Sequence, residues 1–266
     1  MSVVGEWIGG KMIRRISGDG FLLEGLVKRD FQRKYKGSFL GAAWSVLNPL
    51  ITLLIMRVVF GHFFGSGIPH FTIYLFCGTI IFGFFSESTT EGLVSLAGNA
   101  YIFTKINTPK YLFLLAKNIQ TLCNFLLTLC VFFLFCIIDG VTITPRFSAL
   151  IYPVLMLGLF NVGTGLILSA LYVFFRDTQY LWGIVTQFLM YLSAVFYSVE
   201  SFSPEIQKIF LLNPIYLFIR YFRFIVLDGT LPSVLLHALI ALDTCIVLLM
   251  GIWIYYRYDS EFLYYV

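Results

Sequence analysis

Long uncharged runs dominate this sequence and leave it few ways to fold. About 20 consecutive apolar residues cross the ~30 Å hydrocarbon core of a bilayer as a helix, with each backbone polar group bonded inside the segment. Six runs fit: about Leu40 to Phe64, Phe71 to Leu96, Tyr111 to Ile138, Ala149 to Phe175, Tyr180 to Tyr197 and Val234 to Tyr256. Between the last two, 198–232 is apolar but broken by Pro204, Pro214, Gly229 and Pro232 into pieces too short to cross. Such pieces read as re-entrant or interfacial helices. The expected fold is all-α and integral to the membrane. It has six transmembrane helices, an N-terminal interfacial helix and an outer re-entrant hairpin before the last span.

Composition agrees. Charged residues make up 12% of the chain and mean hydropathy is +0.88, against roughly a quarter charged in soluble domains. That excludes an ordinary soluble enzyme, and equally a solvated disordered chain. A net charge of +4, with the basic residues mainly at one end, argues against a nucleic-acid partner. Cys77, Cys123, Cys130, Cys136 and Cys245 all lie in apolar runs without metal-ligand spacing, so they read as packing residues.

Lysine and arginine set the orientation. Eight fall in 1–36: Lys11, Arg14, Arg15, Lys28, Arg29, Arg33, Lys34 and Lys36. Lys105, Lys110, Lys117, Arg176 and Arg257 join them on one side; Arg57, Arg146, Lys208, Arg220 and Arg223 fall on the other. Both termini are expected in the cytoplasm and the broken region outside. Phe21 to Tyr35 mixes apolar and basic residues as an amphipathic helix at the inner interface does. The expected organisation is a cytoplasmic N-terminus over 1–36, a six-span domain over 37–256 and a short cytoplasmic tail over 257–266. Residues 1–36 lack the apolar core of a cleavable signal peptide, and no internal repeat points to an inverted-repeat carrier.

Catalytic signatures are missing. Gly5 to Lys11 reads GEWIGGK, close to a phosphate-binding loop, but Met12 replaces the Mg²⁺-binding hydroxyl and no strand can precede it. No nucleotide, metal or other cofactor is therefore expected on this chain. His62, His70 and His237 are scattered. Glu87 and Glu91 share a helix face near the inner half of the second span; they either line a cavity or proton site, or pair with a basic group near the interface. Asp243 is expected near the outer interface, bonded to a neighbouring helix, and Arg57 to snorkel outward. Glycines at 37 and 41, 61 and 65, and 158, 163 and 165 suit close helix packing. Phe82, Phe85, Tyr191, Phe196 and Tyr197 are candidate channel rings for stacking on sugars, or else packing bulk.

The stretch Arg29 to Leu50, RDFQRKYKGSFLGAAWSVLNPL, resembles the N-terminal signature of permease subunits of ABC-2-type polysaccharide and polyol-phosphate exporters, which move O-antigen, capsule or teichoic acid chains. Arg29, Asp30, Arg33, Tyr35, Ser38, Leu40, Gly41, Trp44, Leu47 and Pro49 carry the resemblance. Asn99 to Pro109, NAYIFTKINTP, resembles that family's cytoplasmic coupling helix, within a segment 98–110. Ala170 to Leu181 resembles the end of its fourth span with an Arg-Asp turn, here Arg176 and Asp177. Leu212 to Pro214 resembles the close of its re-entrant region, here 198–232. The four matches run in order from about residue 24 to 220.

The resemblance implies a bacterial cytoplasmic-membrane permease. Two copies would pair with two ATP-binding cassette subunits, which hold ATP and Mg²⁺ and dock on Asn99, Tyr101, Thr104, Lys105, Pro109 and Lys110. The cargo would be a lipid-linked, undecaprenyl-diphosphate-type glycan. Arg29, Arg33, Lys34 and Lys36 would then meet the diphosphate, or merely anchor the helix to membrane lipids. The tail is expected to be too short for an appended sugar-binding domain. Two other classes remain: a drug or lipid exporter of the same architecture, and a proton-coupled carrier or membrane transferase built on Glu87 and Glu91.

Overall fold

Eleven helices form among the described residues, with no strand. They are α1 (20–35), α2 (Trp44–Phe64), α3 (Phe71–Ser95), α4 (Ala100–Phe103), α5 (Tyr111–Ile138) and α6 (Ile151–Phe174), then α7 (Thr178–Leu192), α8 (Pro204–Phe210), α9 (Pro214–Val226), α10 (Val234–Tyr258) and α11 (Phe262–Tyr265). The computed structural model describes residues 20–36, 40–64, 67–105 and 108–265. The Gly5–Lys11 run, Arg14, Arg15, Gly37, Ser38, Gly65 and the side chain of His62 lie outside the described residues.

Five helices, α2, α3, α5, α6 with its leading 3₁₀ turn, and α10, are long and apolar enough to cross a membrane. Pro49 sits inside α2 and cannot donate to the carbonyl of Ser45, which in hydrocarbon would cost several kcal/mol if left bare. Thr128 on α5 donates its hydroxyl to that carbonyl at 3.3 Å. The proline thus opens α2 at one place and docks it on α5.

Glycine sets the closest packing. A Cβ at Gly163 would lie 2.7 Å from the Leu248 backbone, and one at Gly251 2.6 Å from the Gly163 carbonyl, so α6 and α10 touch backbone to backbone. The pairs Tyr152–His237 and Ser169–Tyr255 flank this contact in the same chain direction, so the two helices run parallel. The chain must therefore cross once between them.

That crossing is α7 with the segment after it. Trp182 donates to Thr89 at 3.2 Å, and Tyr74 donates to the Tyr197 carbonyl at 2.6 Å, so the chain climbs α3 from one end to the other. The fifth span differs from the 180–197 helix expected. α7 holds 15 residues, about 22 Å at 1.5 Å per residue, and ends at Leu192. Ala194 turns into the left-handed region at φ 51°. Arg223 makes this break possible, donating to the carbonyls of Ala194 and Val195 at 2.9 and 3.0 Å and to that of Tyr74 at 3.3 Å.

Helices α8 and α9 bend by 105° at Leu211–Asn213. Asn213 accepts from the Ile215 N–H and donates to the Leu192 carbonyl and the Ser193 hydroxyl, so the bend sits at the tip of α7. Tyr221 meets Tyr152 and His237, near the far ends of α6 and α10. The two short helices meet at a sharp bend just before Pro214, so the chain is broken here as the prolines implied. A second core at the other end gathers Leu26 of α1, Leu96, Phe103, Phe113 and Phe262.

Candidate functional site

Cations and carboxylates interleave where α1 lies across α3 and α5. Arg29 binds the buried carboxylate of Asp30 through Nε at 2.8 Å and Nη2 at 2.6 Å, and also donates to Asn99 Oδ1 at 2.8 Å. Lys117 on α5 bridges Asp30 at 3.6 Å and Glu91 at 2.9 Å. Lys34 pairs with Glu87, and Asn124 donates to the same carboxylate oxygen at 3.1 Å. The Tyr35 hydroxyl meets Ser45 and donates to Asn124 Oδ1 at 2.9 Å. Charges of both signs at a membrane boundary thus satisfy one another.

These groups roof a cavity of about 650 Å³ between α1, α2, α3, α5 and the end of α7. Hydroxyls and amides from Ser45, Asn48, Thr52, Thr79, Thr90 and Thr128 line it, with the rings of Trp44, Phe82 and Phe84. Lys34, Glu87 and Glu91 face it at its charged edge. No described group there pairs a nucleophile with a base. The lining offers hydrogen bonds and apolar faces in alternation, the chemistry of binding and passage.

Both readings of Glu87 and Glu91 meet here, since each carboxylate borders the cavity and each has a lysine. The half-exposed Lys34–Glu87 pair is worth about 0–1 kcal/mol and opens at little cost. Arg29 departs from the expected free headgroup ligand: its guanidinium is committed to Asp30 and Asn99. Arg33, Lys34 and Lys36 remain on the exposed side of α1 or just past it; Ser38 is outside the described residues.

The expected docking set divides. Tyr101, Thr104 and Lys105 are exposed on or beside α4 and Pro109 is half-buried. Asn99 and Lys110 turn inward instead. Asn99 caps α3 by donating to the Ser95 carbonyl at 2.7 Å while receiving Arg29. Buried Lys110 donates to the Asp259 carbonyl at 2.5 Å and its carboxylate at 2.8 Å, tying the C-terminal segment down. Arg176 lies 5.0 Å from the Tyr172 ring, and the Asp177 carbonyl starts α7 by accepting from Tyr180 and Leu181.

Among the aromatic candidates only Phe82 borders the cavity. Phe85 is buried against Phe160 and Trp182, and Phe196 is buried in a stack on Phe60 at 4.6 Å, so both are packing groups within this chain. Tyr191 is exposed, and Tyr197 donates to its carbonyl at 2.7 Å. Lys117, Asn124 and Thr128 of α5 belong to the site as well. Their spacing along α5, with Thr121, marks one polar face in an otherwise apolar span. Among the described residues no cluster of three metal-ligating side chains occurs.

Residues 22–227 match the profile of the ABC-2 type transporter family, and the chain belongs to it. It is a multi-pass membrane subunit, not itself an enzyme. The chain is similar to the O-antigen export system permease protein RfbA of Klebsiella pneumoniae, 29% identical over 218 residues, covering 80% of this chain and 83% of the relative. A protein of the same name from Myxococcus xanthus is 26% identical over 227 residues, covering 84% and 86%.

Proposed function

We propose that this chain is the permease subunit of an ATP-driven exporter that carries a lipid-linked polysaccharide, of the O-antigen kind, across the bacterial cytoplasmic membrane. The observation that carries this reading is the cavity of hydroxyls, amides and rings beneath a basic helix, in a chain similar over most of its length to O-antigen export permeases. The basic end faces the cytoplasm by the lysine and arginine rule. A diphosphate headgroup meets Arg33, Lys34 and Lys36, displacing Glu87 from Lys34, and the sugar chain follows past Trp44 and Phe82.

Two copies of the chain enclose the pathway, a role that suits the exposed apolar sides of α2 and α7. Two ATP-binding cassette subunits, which hold ATP and Mg²⁺, dock on Tyr101, Thr104 and Lys105 and drive the movement. The test is to co-purify the permease with its ATP-binding subunit, reconstitute both in vesicles, and add lipid-linked glycan. Glycan-stimulated ATP hydrolysis with glycan transfer is the expected result. Stimulation by small amphiphiles alone would make it a drug or lipid exporter, and transport without an ATP-binding partner would overturn the reading.

A further inference from the structure

The end of the bundle opposite α1 holds a second cavity, about 1070 Å³, at the top of the ~300–1,000 Å³ range of ligand sites. It lies between the bent α8–α9 pair, the loop at 67–70 and the segment 197–202. The rings of Tyr74, Tyr197, Phe202, Tyr216 and Phe224 line it. So do two carboxylates, Glu200 and Asp228, and three cations, Lys208, Arg220 and Arg223, the last already committed to backbone carbonyls.

Apart from Arg223, these charges have no charged partner among the described residues. Neither carboxylate hydrogen-bonds or ion-pairs with a described residue, and Arg220 only rests over the Phe224 ring at 5.3 Å. Partial desolvation, then the charge of Glu200, holds the Asp228 carboxyl above its ordinary pKa. An anionic ligand would meet the two acids, and a cationic one Lys208 and Arg220. A neutral ligand that both donates and accepts satisfies these four, and its apolar faces can lie on the rings. Pyranose sugars have that chemistry: each hydroxyl donates and accepts, and the C–H faces stack on aromatic rings.

Position supports the same ligand. Val195 lines the first cavity and Tyr197 the second, with Phe196 between them stacked on Phe60. The two cavities are consecutive along one stretch of chain, and α3 borders both.

We propose that the second cavity is an exit-side carbohydrate site, which holds a stretch of the exported chain through Glu200, Asp228 and Arg220 with stacking on Phe202 and Tyr216. It rests on the export reading. The test places p-benzoylphenylalanine at Phe82, Phe202 or Gln207, and at exposed Leu249 on α10 as control, in cells making the intact transporter with its partner. Irradiation during export is expected to link glycan at 202 and 207 but not at 249. The double variant Glu200→Gln, Asp228→Asn should lower the yield at 202 by about tenfold, as lost charge-assisted hydrogen bonds do. Normal export with glycan linked at Phe82 but never at 202 or 207 would sink this site and leave the export reading standing. Glycan export unaffected by deletion of the chain would remove both.

Discussion

Replacing Arg223 separates what its charge does from what its shape does. The guanidinium reaches three carbonyls on two segments, at 2.9, 3.0 and 3.3 Å, and lies 3.4 Å from the centroid of the Tyr74 ring. Gly78 leaves room for it, since a Cβ there would come within 3.2 Å of Arg223 and 3.1 Å of the Val195 backbone. Hydrogen bonds to a charged group contribute about 1.5–3 kcal/mol each. Burying the cation costs several kcal/mol in return, so removing it is not the full sum. Arg223→Met should destabilise by about 3 kcal/mol, the low end for uncovering buried partners. At about 2–4 °C per kcal/mol for a chain of this size, the apparent melting temperature falls by roughly 6–12 °C. Arg223→Lys keeps the charge but cannot fork between Tyr74 and Ala194–Val195, so it should recover less than half of that. The assay heats detergent-solubilised protein and reads the monodisperse fraction by size exclusion. Methionine melting within about 2 °C of wild type, or lysine and methionine falling equally, would refute the account of the fifth-span break.

Other consequences are as direct. Gly163→Ala should push α6 from α10 and cost about 1–3 kcal/mol by overpacking, read as a lower melting temperature; Gly158→Ala, with nothing within 4 Å of the new Cβ, should leave it unchanged. Glu87→Gln frees Lys34 and should tighten lipid-diphosphate binding, while Lys34→Gln weakens it. Both effects should shrink as salt rises from low to high concentration, and equal affinities in a binding titration would deny Lys34 the headgroup. The pair Tyr101→Ala, Lys105→Ala should lower glycan-stimulated ATP hydrolysis without lowering the melting temperature. Lys110→Ala should do the reverse, by releasing Asp259.

The spans were legible because apolar length is a strong local signal. Phe71 and Tyr111 begin α3 and α5 as the sequence implied, next to His70 and Lys110. The prolines at 204 and 214 announced the starts of α8 and α9. The early end of α7 was hidden: Ser193–Tyr197 is apolar and holds neither glycine nor proline, and what breaks the helix is Arg223, thirty residues on. In the site, the cationic character of α1 could be read, but the partners of each cation could not. Arg29 meets Asn99 and Lys110 meets Asp259 across long separations, so exposed and buried lysines look alike in sequence. Lys117, Asn124 and Thr128 give no clear signal as site residues because isolated polar residues in an apolar run resemble helix-packing groups.

The backbone seam between Gly163 and Gly251 also bears on how the chain is made. About 90 residues separate the two glycines, roughly 4–18 s of synthesis at about 5–20 residues per second. For that interval the face of α6 around Gly163 lacks the helix it packs against in the complete fold. A chain truncated before α10 would therefore leave the small-residue face of α6 around Gly163 uncovered.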